Sequence, residues 1–99
     1  MNHNLNLVEN RYSEEELECN ISFFNKFDWN SISFYQNLSE EFIEKYSDKL
    51  DWCWISRHQK LSESFIMKNI YKINVRLLMW NKDISEEIKE EIKTLKEII

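Results

Sequence analysis

"DWNSISFYQNLSEEFI", Asp28 to Ile43, is followed 23 residues later by "DWCWISRHQKLSESFI", Asp51 to Ile66. Extended to Phe27–Lys49 and Leu50–Lys72, the two segments align without a gap and about half of the aligned residues are identical, the mark of an internal duplication. The same period carried forward keeps a skeleton: Asn74 falls under Asp51, Leu78 under Ile55, Ile84 under Leu61, Ser85 under Ser62, Glu86 under Glu63 and Ile88 under Phe65. That is a degenerate third copy. Upstream, "YSEEEL" at Tyr12–Leu17 reads as the second half of a copy, followed by a few extra residues before Phe27.

Each copy carries two helix-start signals. Asp28 and Asp51, with Asn74 in the third copy, are placed to N-cap a helix A that opens on Trp29 or Trp52, the side-chain oxygen accepting from free backbone amides. Apolar pairs flank each cap, Phe27 with Ile32, Leu50 with Ile55 and Ile73 with Leu78, as a hydrophobic staple requires. Ser39, Ser62 and Ser85, each followed by Glu, start a helix B, where an acidic first turn complements the helix dipole. Leu38 with Ile43 and Leu61 with Ile66 repeat the staple, and Lys89 breaks it in the third copy.

A helical wheel separates two faces of helix A. The residues common to both full copies, Trp29, Ile32, Ser33 and Gln36, share one arc, which predicts the core face. The residues that differ, Asn30, Ser31, Phe34 and Tyr35 against Cys53, Trp54, Arg57 and His58, take the opposite arc. In helix B, Phe42, Ile43 and Tyr46 form one face, as do Phe65, Ile66 and Ile70. The buried amides of Gln36 and Gln59 are expected to bond backbone groups at the turn between helices A and B, since buried polar groups find partners.

The absence of Gly and Pro excludes glycine-based β-hairpins and leaves any positive-φ turn to Asn, Asp or Lys. Helices this short are marginal alone, so stacking of units must supply stability. The expected fold is all-α, a small α-solenoid-like array of stacked helical hairpins in one domain, 1–99. It comprises a partial cap unit 1–26, repeats 27–49 and 50–72, and a degenerate repeat with the last helix at 73–99. In that last helix Ile84, Ile88, Ile92, Leu95 and Ile99 form an apolar stripe.

The unit W-x-x-I-S-x-x-Q-x-L-S-E-x-F-I, as it stands across Asp28 to Lys72, resembles short tandem repeats in uncharacterised proteins of bacteriophages, prophages and large DNA viruses. The resemblance implies an α-helical repeat protein, viral or phage-encoded, and brings no active site to transfer.

Thirteen Lys and Arg against 18 Asp and Glu give a net charge of −5, which argues against phosphate-backbone binding and fits a partner with a basic surface. No apolar run is long enough to span a bilayer. Cys19 and Cys53 lie far apart with no hydrophobic leader before them, so free thiols and a cytoplasmic location, the host's if phage-encoded, are expected. A metal site is not expected: Cys53 and His58 are five apart, off the three-or-four spacing that puts ligands on one helix face, and His3 and Cys19 stand elsewhere. Ser33 and Ser56 face the core, and Ser39, Ser62 and Ser85 are caps, so no nucleophile, base and orienting acid come together. No cofactor and no enzyme activity are expected.

The residues singled out for partner binding are Phe34, Tyr35, Trp54, Arg57 and His58, types favoured at interface hot spots, with the acidic Glu40, Glu41 and Glu44. The competing reading packs these aromatics against neighbouring units or the N-terminal segment. The function expected is a non-enzymatic interaction module, in its sharper form an anti-CRISPR-like inhibitor of a bacterial defence complex. There Glu14, Glu15, Glu16, Glu40, Glu41 and Glu44 would compete for a basic nucleic-acid channel. The alternatives are a structural homodimer paired through Ile92 and Ile99, and, ranked lower, a nucleic-acid binder using Lys45, Lys49, Arg57, Lys60, Lys68 and Lys72.

Overall fold

Serine hydroxyls set the rhythm of the chain in a computed structural model that describes residues 3–98. Those residues form seven α-helices and one 3₁₀ turn, and no strand. In chain order the elements are α1 (Glu14–Cys19), the 3₁₀ turn (Ile21–Phe23), α2 (Lys26–Tyr35), α3 (Glu40–Lys45), α4 (Trp52–His58), α5 (Glu63–Lys68), α6 (Val75–Leu78) and α7 (Glu86–Ile98). Ser13, Ser39 and Ser62 each cap a helix of 6 residues, their hydroxyls accepting from the amides of Glu16, Phe42 and Phe65. Ser85 does the same for α7, accepting from Ile88. The fold is all-α, a series of short helical hairpins with a longer C-terminal helix.

Ser13 precedes Ser39 by 26 positions, not the 23 of the later copies, and the three residues in excess are taken up by the turn Ile21–Phe23. They also shift the start of the next helix. Asn25 caps α2, its side chain accepting from the Asp28 amide, while the Asp28 carboxylate accepts from the Asn25 amide. Asp28 is therefore the third residue of a capping box and not the cap that the repeat suggested. Phe27, expected to staple, lies inside α2 and is 80% exposed. The other pairs are buried as expected: Leu50, Ile55, Ile73, Leu78, Leu38, Ile43, Leu61 and Ile66. Asp51 immediately precedes α4, and the Asn74 side chain caps α6 by accepting from the Leu77 amide.

A chain without glycine has to end its helices some other way. Asn20, Tyr46 and Asn69 close α1, α3 and α5 with φ between −112° and −108° and ψ between 6° and 29°, a region open to any residue. No described residue has positive φ, so the left-handed turns assigned to Asn, Asp or Lys are not used. After α3 the amides of Lys49 and Leu50 return to the Tyr46 carbonyl; after α5 those of Lys72 and Ile73 return to Asn69 in the same way.

The chain divides into two units, Met1–Asp51 and Trp52–Ile99. In the first, Trp29, Ile32, Ser33 and Gln36 are all buried, as the wheel predicts. Trp29 meets Phe24 edge-on at 5.5 Å and Tyr46 at 5.5 Å, and His3 meets Phe24 at 5.1 Å. His3 Nε2 lies 3.1 Å from the Asp28 carboxylate. Gln36 accepts from the Tyr12 amide at 2.9 Å and donates to the carbonyls of Leu7 at 2.8 Å and Asn10 at 2.7 Å. These partners belong to the N-terminal segment, 24 to 29 positions away. That segment makes one helical turn of its own, the Asn10 amide bonding the Asn6 carbonyl, and so stands in for a missing helix A.

In the second unit α4 packs on α6 and α6 on α7. The apolar stripe is partly used inside this unit: Ile84, just before α7, and Ile92 are buried, Ile88 and Leu95 half-buried, and Ile99 lies outside the described residues. Lys89 takes a core position, its ammonium donating to the Met79 carbonyl at 3.1 Å and to Glu86 at 3.3 Å. Lys96 donates to the Ile73 carbonyl at 2.6 Å. Where an apolar staple is lost, a cation ties α7 to backbone carbonyls around α6. No described helix is long and apolar enough to cross a membrane.

Replacing Gln36 by Leu leaves three backbone groups without their partner, so urea unfolding is expected to show a loss of about 2–4 kcal/mol. Hydrogen exchange at the Tyr12 amide should quicken in the same variant. Phe27→Ala, at an exposed site, is expected to stay within about 0.5 kcal/mol of the parent.

Candidate functional site

Of the side chains that distinguish one repeat from the other, three gather in the second unit. Trp54 and His58, one turn apart on α4, have ring centroids 5.7 Å apart, and both are half-buried. Arg57, also half-buried, lays its guanidinium 5.9 Å from the centre of the Trp80 ring, an arrangement in which the ring face attracts the cation. Arg57, His58, Trp80, Asn81, Lys82 and Asp83 line a cleft of about 230 Å³.

Trp80 is 67% exposed, yet its backbone is tied down. The amides of Trp80 and Asn81 bond the carbonyls of Leu77 and Leu78, each at 3.0 Å. The buried Asn81 amide then donates to the carbonyls of Ser56 and Gln59, both at 2.8 Å, and accepts from the Asp83 amide at 2.9 Å. Asn81 thereby pins the loop after α6 to the end of α4. An exposed indole on a fixed backbone loses little freedom when it is covered, which makes it an economical anchor for a partner.

The charges of the cleft are unbalanced. Arg57 and Lys82 are cationic and Asp83 anionic, and among the described residues no carboxylate forms an ion pair with Arg57. Burial, and secondarily the adjacent Arg57 charge, hold the His58 imidazole below its ordinary value, so His58 is neutral at pH 7.

The remaining expected site residues lie in the first unit. Phe34 and Tyr35 are half-buried with ring centroids 4.3 Å apart, and the Arg11 guanidinium covers Tyr35 at 6.0 Å. The N-terminal segment thus lies against Tyr35, as the packing reading anticipated. Glu41 and Glu44 are exposed and Glu40 half-buried on α3. The acidic N-terminal run is engaged within its own unit. Glu14 accepts from the amide and hydroxyl of Ser39 at 2.6 and 2.8 Å, and Glu16 completes the capping box of α1. Glu18 meets Lys45 at 2.8 Å and the Tyr46 hydroxyl at 2.9 Å, which lowers its pKa.

Trp80 was not singled out from the sequence, although the repeat contains the signal. In the 23-residue register Trp80 falls under Arg57 and Phe34, and Asn81 under His58 and Tyr35. The variable positions of helix A, carried into the third copy, lead to the cleft. Cys19 and Cys53 are free and exposed, and the Cys53 sulfur accepts from the Asn74 side chain at 3.4 Å. Among the described residues no three His, Cys, Asp or Glu side chains come together to hold a metal ion. Comparison with protein-family models, curated proteins and solved structures finds no match to this chain.

Because the folded pKa of His58 is depressed, the native state binds fewer protons than the unfolded chain as pH falls below the ordinary imidazole value. The stability this contributes is complete above that value and is lost as pH falls through the folded pKa. An NMR titration of the His58 ring should give a midpoint below 6.5, moving up but not fully back in Arg57→Gln, since burial is the larger cause. A midpoint at or above 6.5 would contradict the buried placement.

Proposed function

We propose that this protein is a non-enzymatic protein-interaction module that meets its partner through the Trp80, Arg57, Trp54 and His58 face of its second unit. One observation carries the reading: a largely exposed tryptophan, stacked by an arginine, on a backbone whose amides are already bonded. Tryptophan and arginine dominate interface hot spots, and preorganisation removes part of the entropic cost of association. The narrower reading, a phage- or prophage-encoded inhibitor of a bacterial defence complex, rests on the repeat resemblance and on the small, acidic character of the chain.

A second reading, a homodimer through α7, is favoured by a different surface. Leu95 and the 76% exposed Ile98, with Glu90, Glu91 and Thr94, line a shallow apolar groove of about 440 Å³. Ile92, which the sequence offered as a dimer contact, is fully buried within the chain and belongs to the fold.

Capture of partners from a host lysate by the tagged protein, compared with Trp80→Ala, tests the main reading. Loss of a hot spot worth about 2 kcal/mol weakens binding roughly 30-fold, so the specific partner should disappear from the variant. Unchanged capture by Trp80→Ala would remove this face from consideration. Light scattering on the parent and on Ile98→Glu tests the second reading; a monomeric mass for both rules out the dimer.

A further inference from the structure

We infer that the Arg57 and Trp80 cleft receives a carboxylate side chain from an acidic peptide segment of the partner, the guanidinium taking the anion while the indole covers the neighbouring apolar chain. The inference rests on the interaction face proposed above and names the chemistry that the face selects.

The argument starts from cost. Arg57 is half-buried, and a charge that loses hydration is normally compensated by a paired anion and hydrogen bonds. The Arg57 guanidinium meets the Trp80 ring, and among the described residues no carboxylate forms an ion pair with it. The planar fork of arginine matches a carboxylate with two parallel hydrogen bonds, which a lysine cannot reproduce. Lys82 adds a second positive charge on the lining, and Asp83 is the single anion there, its amide bonded to Asn81. The local balance is cationic although the whole chain carries −5.

That contrast decides the class of partner. Over distances beyond about 8 Å at physiological salt, exposed charges are largely screened, so a single anionic group entering the cleft responds mainly to the charges on its lining, Arg57 and Lys82 against Asp83. A long polyanion would also meet the exposed carboxylates of Asp83, Glu86 and Glu87, which follow Trp80 in the same unit. A short acidic peptide segment satisfies both conditions, and nucleic acid does not. This reverses the chemistry read from overall charge, which pointed to a basic partner surface.

The test is an NMR titration of the full chain with two synthetic probes: acetyl-Asp-Glu-Leu-Asp-Glu-amide and its uncharged counterpart acetyl-Asn-Gln-Leu-Asn-Gln-amide. The Trp80 indole N–H and the Lys82 and Asp83 amides should shift saturably with the acidic peptide and not with the neutral one. Arg57→Gln should weaken the effect tenfold or more, while Trp80→Phe keeps part of it; both variants should retain the parent's dispersed spectrum, because neither side chain is in the core. Equal shifts from both probes, no shift at millimolar peptide, or an effect indifferent to Arg57→Gln would overturn the inference. Tighter binding of a single-stranded oligonucleotide at the same resonances would overturn it as well. If lysate capture depends on Trp80 while the acidic peptide fails, the interaction face stands and the anion falls. If the peptide binds through Arg57 while capture ignores Trp80, the proposed partner face falls and the anion site stands.

Discussion

Two buried serine hydroxyls each serve two backbone positions at once. Ser33 donates to the Trp29 carbonyl one turn back at 2.8 Å and accepts from the Asp51 amide at 2.9 Å, 18 residues on. Ser56 repeats the arrangement, donating to Trp52 at 2.6 Å and accepting from Asn74 at 2.9 Å, again 18 residues on. The donating amide belongs in each case to the residue just before a helix A, where a backbone donor lacks an intrahelical partner. Within each unit the hydroxyl therefore fixes where helix A lies relative to the next point of helix entry. A hydroxyl is the smallest group that does both, and an alanine or valine of similar volume would leave the amide without its acceptor.

From that fixed spacing the rest of the chain follows in physical steps. Serine caps open the B helices, and Asn20, Tyr46 and Asn69 close the short ones without a left-handed residue, which is how a chain with no glycine turns seven helices among its described residues. Buried amides then lock what the helices leave loose. Gln36 holds the N-terminal segment, and Asn81 holds the loop after α6 to two carbonyls three residues apart at the end of α4. The second of these locks connects the fold to the proposed interaction face, because the loop it holds presents Trp80 beside Arg57.

Much of this was legible in the repeat. Most residues common to both copies are core or capping residues, and the residues that differ include two that line the cleft, Arg57 and His58. What escaped had a definite cause in each case. Gln36 bonds groups 24 to 29 positions away, a separation that no local pattern encodes. Phe27 shares its register with Leu50 but sits inside a helix that starts a turn earlier, because three additional residues upstream freed Asn25 to cap. Lys89 reads as a broken staple, yet its long stem fills the core position while its ammonium reaches a carbonyl, which hydropathy alone does not anticipate. Trp80 was hidden by the decay of the third copy, which keeps the register but not the residue types.

The serine relay is the claim on which the architecture depends, and amide hydrogen exchange on Ser56→Ala and Ser33→Ala tests it directly. In Ser56→Ala the Asn74 amide should lose protection while Asp51 keeps its own; in Ser33→Ala the pattern should reverse, each variant losing about 1–3 kcal/mol of stability. Unchanged protection at both amides, with stability held within about 0.5 kcal/mol of the parent, would contradict the account.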